Sequence, residues 1–352
     1  MRFYDALQLN PGDLKRAIRK AETAGERHRL QWAMLVRSVL IVLFSIVLIA
    51  PLSALFGPEN NAMSVSLICM ILSIRFVDFG YCIQDSLRNL GIVFFLLTAA
   101  PAAASFLPPY LAVFVHFGAF LLILTMTSDK PEMGNGGLFA FAYIFLVGNP
   151  VRGELFWKRC ALTLVSYLIC AAIFYAKHRD KHEAVRYHHL VSEFHLSQPK
   201  CRWQVQLALG VSLLLMVGEL LGLERLMWAG FACASLLGCY ASADVVKERL
   251  TDRIVGAAGG SLAFALIYWI TPPSLYGLFG PLGGVCLGFC AEYRYKTALN
   301  CFGALLLATG LYGLHGSVLL RIMNNFIGAA FGFCFFAVYQ RLVSRRFDAA
   351  AE

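Results

Sequence analysis

Twelve stretches of the chain are nearly free of charge and rich in Leu, Ile, Val, Phe and Ala: 32–56, 61–79, 87–106, 109–128, 136–150, 155–177, 203–223, 225–243, 253–271, 274–291, 297–313 and 317–340. Most hold about 18 to 25 residues, enough to cross ~30 Å of hydrocarbon as a helix, where every backbone N–H and C=O must bond within its own segment. The pattern predicts an all-α, polytopic integral membrane protein with about 12 transmembrane helices. The fifth stretch is short and crowded by Gly134, Gly136 and Gly137, and only a tight turn at 222–225 parts the seventh from the eighth. Ten or eleven crossings are therefore also compatible with the pattern.

Composition agrees with a bilayer as solvent. Of 352 residues, 59% are hydrophobic and 14% charged, with a mean hydropathy of +0.66, far from the balance of a soluble domain. The net charge of +9 points to topology and not to a nucleic-acid partner, because of where the cations sit. Arg2, Lys15, Arg16, Arg19, Lys20, Arg27 and Arg29 precede the first stretch. Lys177, Arg179, Lys181, Arg186, Lys200 and Arg202 surround a polar linker, and Arg341, Arg345 and Arg346 follow the last stretch. The positive-inside rule then places both termini and the linker in the cytoplasm and the chain in an inner or plasma membrane. The expected organisation is a basic N-terminal segment 1–31, a first six-helix half 32–177, a cytoplasmic linker 178–202, a second half 203–340 and a tail 341–352. The N-terminal segment has no apolar core of a cleavable signal. It reads as a helix capped near Asn10, starting at Pro11 and lying along the inner surface, where its basic face meets anionic lipid or simply obeys the topology rule.

Eleven cysteines are scattered through the apolar stretches with no CxxC pair, so they read as small core residues. Cys286 and Cys290 are too weakly patterned for a metal site. His178, His182, His189 and Glu193 would share one face if 177–195 were helical. At 1.5 Å per residue, however, only His178 and His182 could hold one ion. Neither metal nor cofactor is expected. With no phosphate loop, dinucleotide fingerprint, HExxH or nucleophile elbow, the chain is not expected to be an enzyme.

An internal repeat carries more information. CIQDSLRNLGIVFFLL (82–97) and VKERLTDRIVGAAGGSLAF (246–264) share an acidic residue, an arginine and a glycine three positions on: Arg88 with Gly91, Arg253 with Gly256. Arg159 falls opposite Arg321 in the sixth helix of each half, and the two offsets are 165 and 162 positions. Two copies with even numbers of crossings enter from the same side, which predicts parallel repeats about an axis along the membrane normal and a pathway between the halves. On the helix 253–271, Arg253, Gly256 and Gly260 share a face. The GxxxG of Gly256 and Gly260 lets a neighbouring helix approach closely, and Gly91 is the first-half counterpart. Arg253 and Arg88 would attract an anion from the cytoplasmic side, with Arg159 and Arg321 forming stations nearer the outer side. A guanidinium fork suits a carboxylate. An arginine at a helix end can equally snorkel to the headgroups. Asp252 and Asp85 are the best placed carboxyls for proton coupling, with ion pairing to the adjacent arginines as the alternative. Asn324 and Asn325 read as helix-to-helix hydrogen-bonding groups.

RWQVQLALGVSLLLMVGELLGLERLMWAGFACASL, followed by ERLTDRIVGAAGGSLAFALIYWI, resembles the fusaric acid resistance (FUSC) and aromatic acid exporter family, related to the aluminium-activated malate transporters of plants. Trp228 matches the family's tryptophan, Arg253 its arginine, and Gly256 and Gly260 its small-residue face. The similarity is clearest over about 202–340 and fainter over 32–177. It implies export of organic, often aromatic, carboxylate anions through a six-helix membrane unit, present here twice. The partners implied are the small organic anion, membrane lipids and either a periplasmic adaptor or a second copy of the chain. Unlike many members, the chain lacks a large cytosolic domain after each half, and its first half replaces the glycine-rich face with Gly91-Ile-Val-Phe. Passive anion conduction, and a non-transporting envelope scaffold or lipid-handling role, are the alternatives to coupled export.

Overall fold

The computed structural model describes residues 2–240 and 242–344; Arg345 and Arg346, counted above among the cytoplasmic cations, lie outside the described residues. Among the described residues the chain is all-helical: α1 Phe3–Gln8, α2 Pro11–Lys20, α3 Ala24–Phe56, α4 Asn61–Ile74, α5 Ile83–Ala104, α6 Pro109–Thr127, α7 Asn135–Val147, α8 Glu154–His178, α9 Tyr187–Ser192, α10 Pro199–Leu220, α11 Leu226–Leu237, α12 Ala243–Ile270, α13 Phe279–Leu287 and α14 Tyr293–Tyr339. Among the described residues seven helices, α3, α5, α6, α8, α10, α12 and the one beginning at Tyr293, are long and apolar enough to cross a membrane.

The difference from twelve expected spans has two sources. Four expected spans are short helices: α4, α7, α11 and α13 have 14, 13, 12 and 9 residues. At 1.5 Å per residue they reach only about 21, 20, 18 and 14 Å, less than a hydrocarbon core. Breakers set these lengths. α7 runs from Gly134, which is left-handed, to Gly148, α11 stops at Gly238, and α13 lies between a 3-10 turn beginning at Pro273 and Gly288. The second source is α14, which joins the last two expected spans.

α14 is two helical stretches that fold back on each other. Gly313 interrupts it with φ 68° and ψ 172°, a conformation that costs glycine little and other residues much. The Arg253 side chain reaches both Tyr293 Oη (3.2 Å) and Asn325 Oδ1 (3.0 Å). A straight helix would set residues 293 and 325 about 48 Å apart, so 293–312 and 314–326 run antiparallel.

Two compact units are present. The first comprises Met1–Val47 and Lys247–Phe326. Here the Asn10 side chain caps α2 by accepting from Asp13 N at 2.9 Å. Ala6 and Leu14 pack with Leu30, Ala33 and Met34 of α3 and with Phe289, so protein covers the apolar face expected to lie on the membrane surface, while Arg16, Arg19 and Lys20 stay exposed. α3 also meets α13, where Gly288 lies against Ser38 and Gly284 against Val42. Phe264 of α12 packs edge-on against Phe279 and Phe302.

The second unit comprises Leu48–Val246 and the chain from Ile327 onward. Within it α6 packs against α5, α7 and α10, α8 against α4 and α5, and α11 against α7 and α10. These units do not follow the halves 32–177 and 203–340. The helix that opens the second half, α10, packs on α6 of the first, and the helix that opens the first half, α3, packs on α13 of the second.

The linker is not the continuous helix that would align its histidines. α8 ends at His178, His182 has φ 52°, and only α9 is helical before α10. His178 Nε2 lies 2.6 Å from Ile74 O and His182 Nε2 3.2 Å from Asp78, so the two rings turn to different partners and not to a shared ion. Among the described residues no cluster of three His, Cys, Asp or Glu could hold a metal.

Candidate functional site: two buried arginines of one unit

In the first unit, α12 presents Arg253 inward to both stretches of α14. Its side chain is largely buried, the residue being 8% exposed. Nε donates to Asn325 Oδ1 at 3.0 Å and Nη1 to Tyr293 Oη at 3.2 Å. Both partners are neutral, and no ion pair involves Arg253 among the described residues. Arg321, 5% exposed, lies close enough for its charge to act on that of Arg253 and within hydrogen-bonding reach of Cys301. Asn325 ties the two together, because its Nδ2 donates to Arg321 O at 2.8 Å while its Oδ1 accepts from Arg253.

The two glycines beside Arg253 make this proximity possible. A Cβ at Gly256 would run into Arg294 O and Thr297, and one at Gly260 into the backbone of Ala298. α12 and the first stretch of α14 therefore touch backbone to backbone, as small residues allow. Arg249 stacks over the Tyr293 ring at 4.3 Å, a cation–π contact that fixes the ring whose hydroxyl meets Arg253. One turn before Arg321, on the same face, the Ser317 hydroxyl is fully buried with no hydrogen-bond partner. A buried hydroxyl is ordinarily paired, so Ser317 leaves an unused donor one turn from Arg321.

Asp252 does not complete it. Its Oδ1 accepts from Arg294 Nε at 2.8 Å, leaving this carboxylate paired at a half-exposed arginine one position away from Arg253. Asp85, the other carboxyl considered for proton coupling, is likewise engaged: Arg186 Nε lies 3.1 Å from Oδ2, and Tyr187 N donates to the same oxygen at 3.0 Å. Together with the Cys82 N to Val185 O bond of 2.8 Å, Asp85 pins the linker over the start of α5. Asp78 pins it again through Lys181 and His182, each at 3.2 Å. Burial pushes the Asp78 carboxyl up, but Lys181, the Gly80 N–H and His182 outweigh it and hold its pKa below the ordinary value.

The first-half arginines have different surroundings. Arg88 has a side chain 63% exposed and only a loose 3.8 Å contact with Asp85. Arg159 is 3% exposed and tightly bound: Nε to Asn60 Oδ1 at 2.8 Å, Nη1 to Asn149 O at 2.6 Å and Nη2 to Glu59 O at 2.9 Å. It clamps α8 to the chain entering α4 and leaving α7. Across α5 and α8, Thr98 meets Thr163 and Gly91 meets the Tyr167 ring. Arg88 and Arg159 are thus about 20 Å apart along the helices, whereas Asn325 bridges the Arg253 side chain to the Arg321 backbone.

Residues 212–335 match the model of the fusaric acid resistance protein-like family. The match supports the resemblance carried by Trp228, Arg253, Gly256 and Gly260, and it also spans Tyr293, Ser317, Arg321 and Asn325. The fusaric acid resistance-like segment therefore contains the whole buried arginine pair, and with seven membrane-length apolar helices the chain is a multi-pass integral membrane protein. No curated protein and no solved structure matches the chain. Sequence reasoning had singled out Arg253 and Arg321 but assigned them to different depths. It missed Tyr293 and Ser317, and took Asn325 only as a packing group. The spacing of Asn325, one turn from Arg321, was the available signal.

Proposed function

We propose that this protein transports small organic anions across a membrane, with Arg253 and Arg321 as the anion-binding station. One observation carries this reading: a buried guanidinium, Arg253, whose hydrogen-bond partners are both neutral, tied through the Asn325 amide to the backbone of a second buried arginine, Arg321. A buried guanidinium with neutral partners attracts an anion, and its fork can donate to both oxygens of a carboxylate. The Ser317 hydroxyl supplies a further donor. The family match fits transport, and its family's association with aromatic carboxylates makes these the first substrates to try.

A repeat architecture also enters as part of this reading. α4 and α11 begin at 61 and 226, α5 and α12 end at 104 and 270, and α8 and the second stretch of α14 end at 178 and 339. These near-constant offsets, and the reciprocal packing of α10 on α6 and α3 on α13, support two parallel copies within one chain. Both termini and the linker are then cytoplasmic, a placement that fits the positions of the basic residues.

A passive anion pathway is the second reading, favoured by the state of the two candidate proton carriers. Asp252 and Asp85 both sit in arginine ion pairs, at 2.8 and 3.1 Å, and neither contacts Arg253. Reconstituted vesicles separate the possibilities. Arg253→Ala should cut benzoate flux by about tenfold or more with the yield of folded protein kept; unchanged flux removes Arg253 from the pathway. Flux that ignores an imposed proton gradient selects the passive reading, and flux that is driven uphill by one selects coupling.

A further inference from the structure

The pinned linker roofs a cavity of about 340 Å³ in the second unit. Tyr187, Leu190 and Phe194 of the linker form one wall, and Leu121 and Leu122 of α6 face them. At one end stand Lys200, at the start of α10, and Asp129, paired at 2.6 Å with side chains 24% and 18% exposed. The cavity shares no residue with the arginine pair of the first unit.

Its chemistry selects a guest of a different kind. The volume is at the lower end of ligand sites, which run from about 300 to 1,000 Å³; it accommodates one or two rings and is too small for a two-chained lipid. Tyr187 and Phe194 offer ring faces and edges, and leucines complete an apolar wall. The only charges lining it neutralise each other. An anionic guest would meet Asp129 and a cationic one Lys200, each partly desolvated, so either charge is penalised. The ammonium has three N–H donors, of which Asp129 takes one, and the carboxylate retains free lone pairs. A group that both accepts and donates, such as a hydroxyl, satisfies both partners without breaking the ion pair.

We propose that the cavity beneath the linker binds a small, uncharged aromatic molecule bearing one hydroxyl, its ring between α9 and α6 and its hydroxyl bridging Lys200 and Asp129. The linker, held by Asp78 and Asp85 through side-chain bonds and not by a continuous helix, is the wall that yields to admit it.

The test is titration calorimetry of the full chain in phosphatidylcholine nanodiscs at pH 7, with partition into empty nanodiscs subtracted. 2-Naphthol should bind saturably, one per chain, while 2-naphthoate and 2-naphthylmethylamine, charged at that pH, should bind about tenfold more weakly or less. Leu190→Trp, which fills the cavity from an exposed linker helix, should weaken 2-naphthol by about tenfold. Lys200→Met should remove the preference for 2-naphthol over naphthalene, and it decides the matter if Leu190→Trp does not fold. Naphthoate binding as tightly as naphthol, unchanged naphthol binding in Leu190→Trp, or a wild-type chain that takes none of these probes because a lipid occupies the space would each overturn the proposal.

Discussion

Arg88 and Arg253 sit in the same local pattern, an arginine three residues before a glycine, yet one is mostly exposed and the other is buried against Asn325 and Tyr293. Helix starts explain the difference. α5 begins at Ile83 and α12 at Ala243, so Arg253 lies about one and a half turns further inside its helix than Arg88 does. The glycines differ in kind as well. Gly256 and Gly260 meet backbone, whereas Gly91 meets the edge of the Tyr167 ring. A third arginine, Arg159, is as buried as Arg253 but surrounded by oxygen acceptors. Burial alone therefore does not mark an anion site; what separates Arg253 from Arg159 is how far fixed acceptors already use the guanidinium.

The largest expected effect sharpens this last contrast. Arg159→Ala removes three hydrogen bonds from a cation to enclosed oxygens and should cost about 3–5 kcal/mol, seen as loss of folded protein or a sharply lowered unfolding temperature. Arg159→Lys should rescue little, since a point charge cannot span three acceptors. Gly260→Val should follow at about 1–3 kcal/mol, because the Ala298 backbone cannot move aside cheaply. Gly91→Ala, against a ring that can shift, should change thermal unfolding by no more than about 0.5 kcal/mol. If the two glycine variants are equally damaging, the distinction between backbone and side-chain contact fails.

At the level of function, Arg88→Gln should leave benzoate flux within about twofold of wild type, against the tenfold loss expected at Arg253. Equal losses would restore a symmetric role to the two. The smallest effect concerns the linker. Because the folded pKa of Asp78 lies below the ordinary 3.8, its contribution is fully present above pH 3.8 and disappears as pH falls through the folded value. Hydrogen exchange of residues 179–186 should therefore rise below that pH by an amount equivalent to about 1 kcal/mol or less. Asp78→Asn should reproduce the loosening at neutral pH, as faster tryptic cleavage after Lys181.

Much of the architecture was readable from hydropathy, because lipid forces helix onto any long apolar run. Each expected span has a helical counterpart, and the breakers that shorten α7 and α11 were visible as glycines. What hydropathy could not show was how far each helix extends at its polar end. α12 starts ten residues before the expected 253, and this alone moved Arg253 from a helix mouth to an interior position. Partner choice was equally hidden. Arg159 and Arg321 align in the repeat, but Asn60, Asn149 and Glu59 come to the first from distant segments, a tertiary fact without local signature. Asp85 and Asp252 were correctly flagged as neighbours of arginines in sequence, yet their actual partners, Arg186 and Arg294, lie 101 and 42 positions away.

The bend at Gly313 bears on how the chain enters its membrane. Between Lys296 and Arg321 there is no Asp, Glu, Lys or Arg, and the reversal is made by one glycine without a polar loop. Nothing charged has to be dragged through hydrocarbon to place that tip on the far side, a step that otherwise costs about 2.5–3.5 kcal/mol for each charged residue at mid-bilayer. The two arms can therefore partition together as a closed hairpin during biosynthesis, carrying Arg321 only as deep as its meeting with Asn325 and Arg253. A lysine placed at Leu314 would tax that step before any question of binding arose, and would show itself as a failure of insertion in a glycosylation-mapping assay.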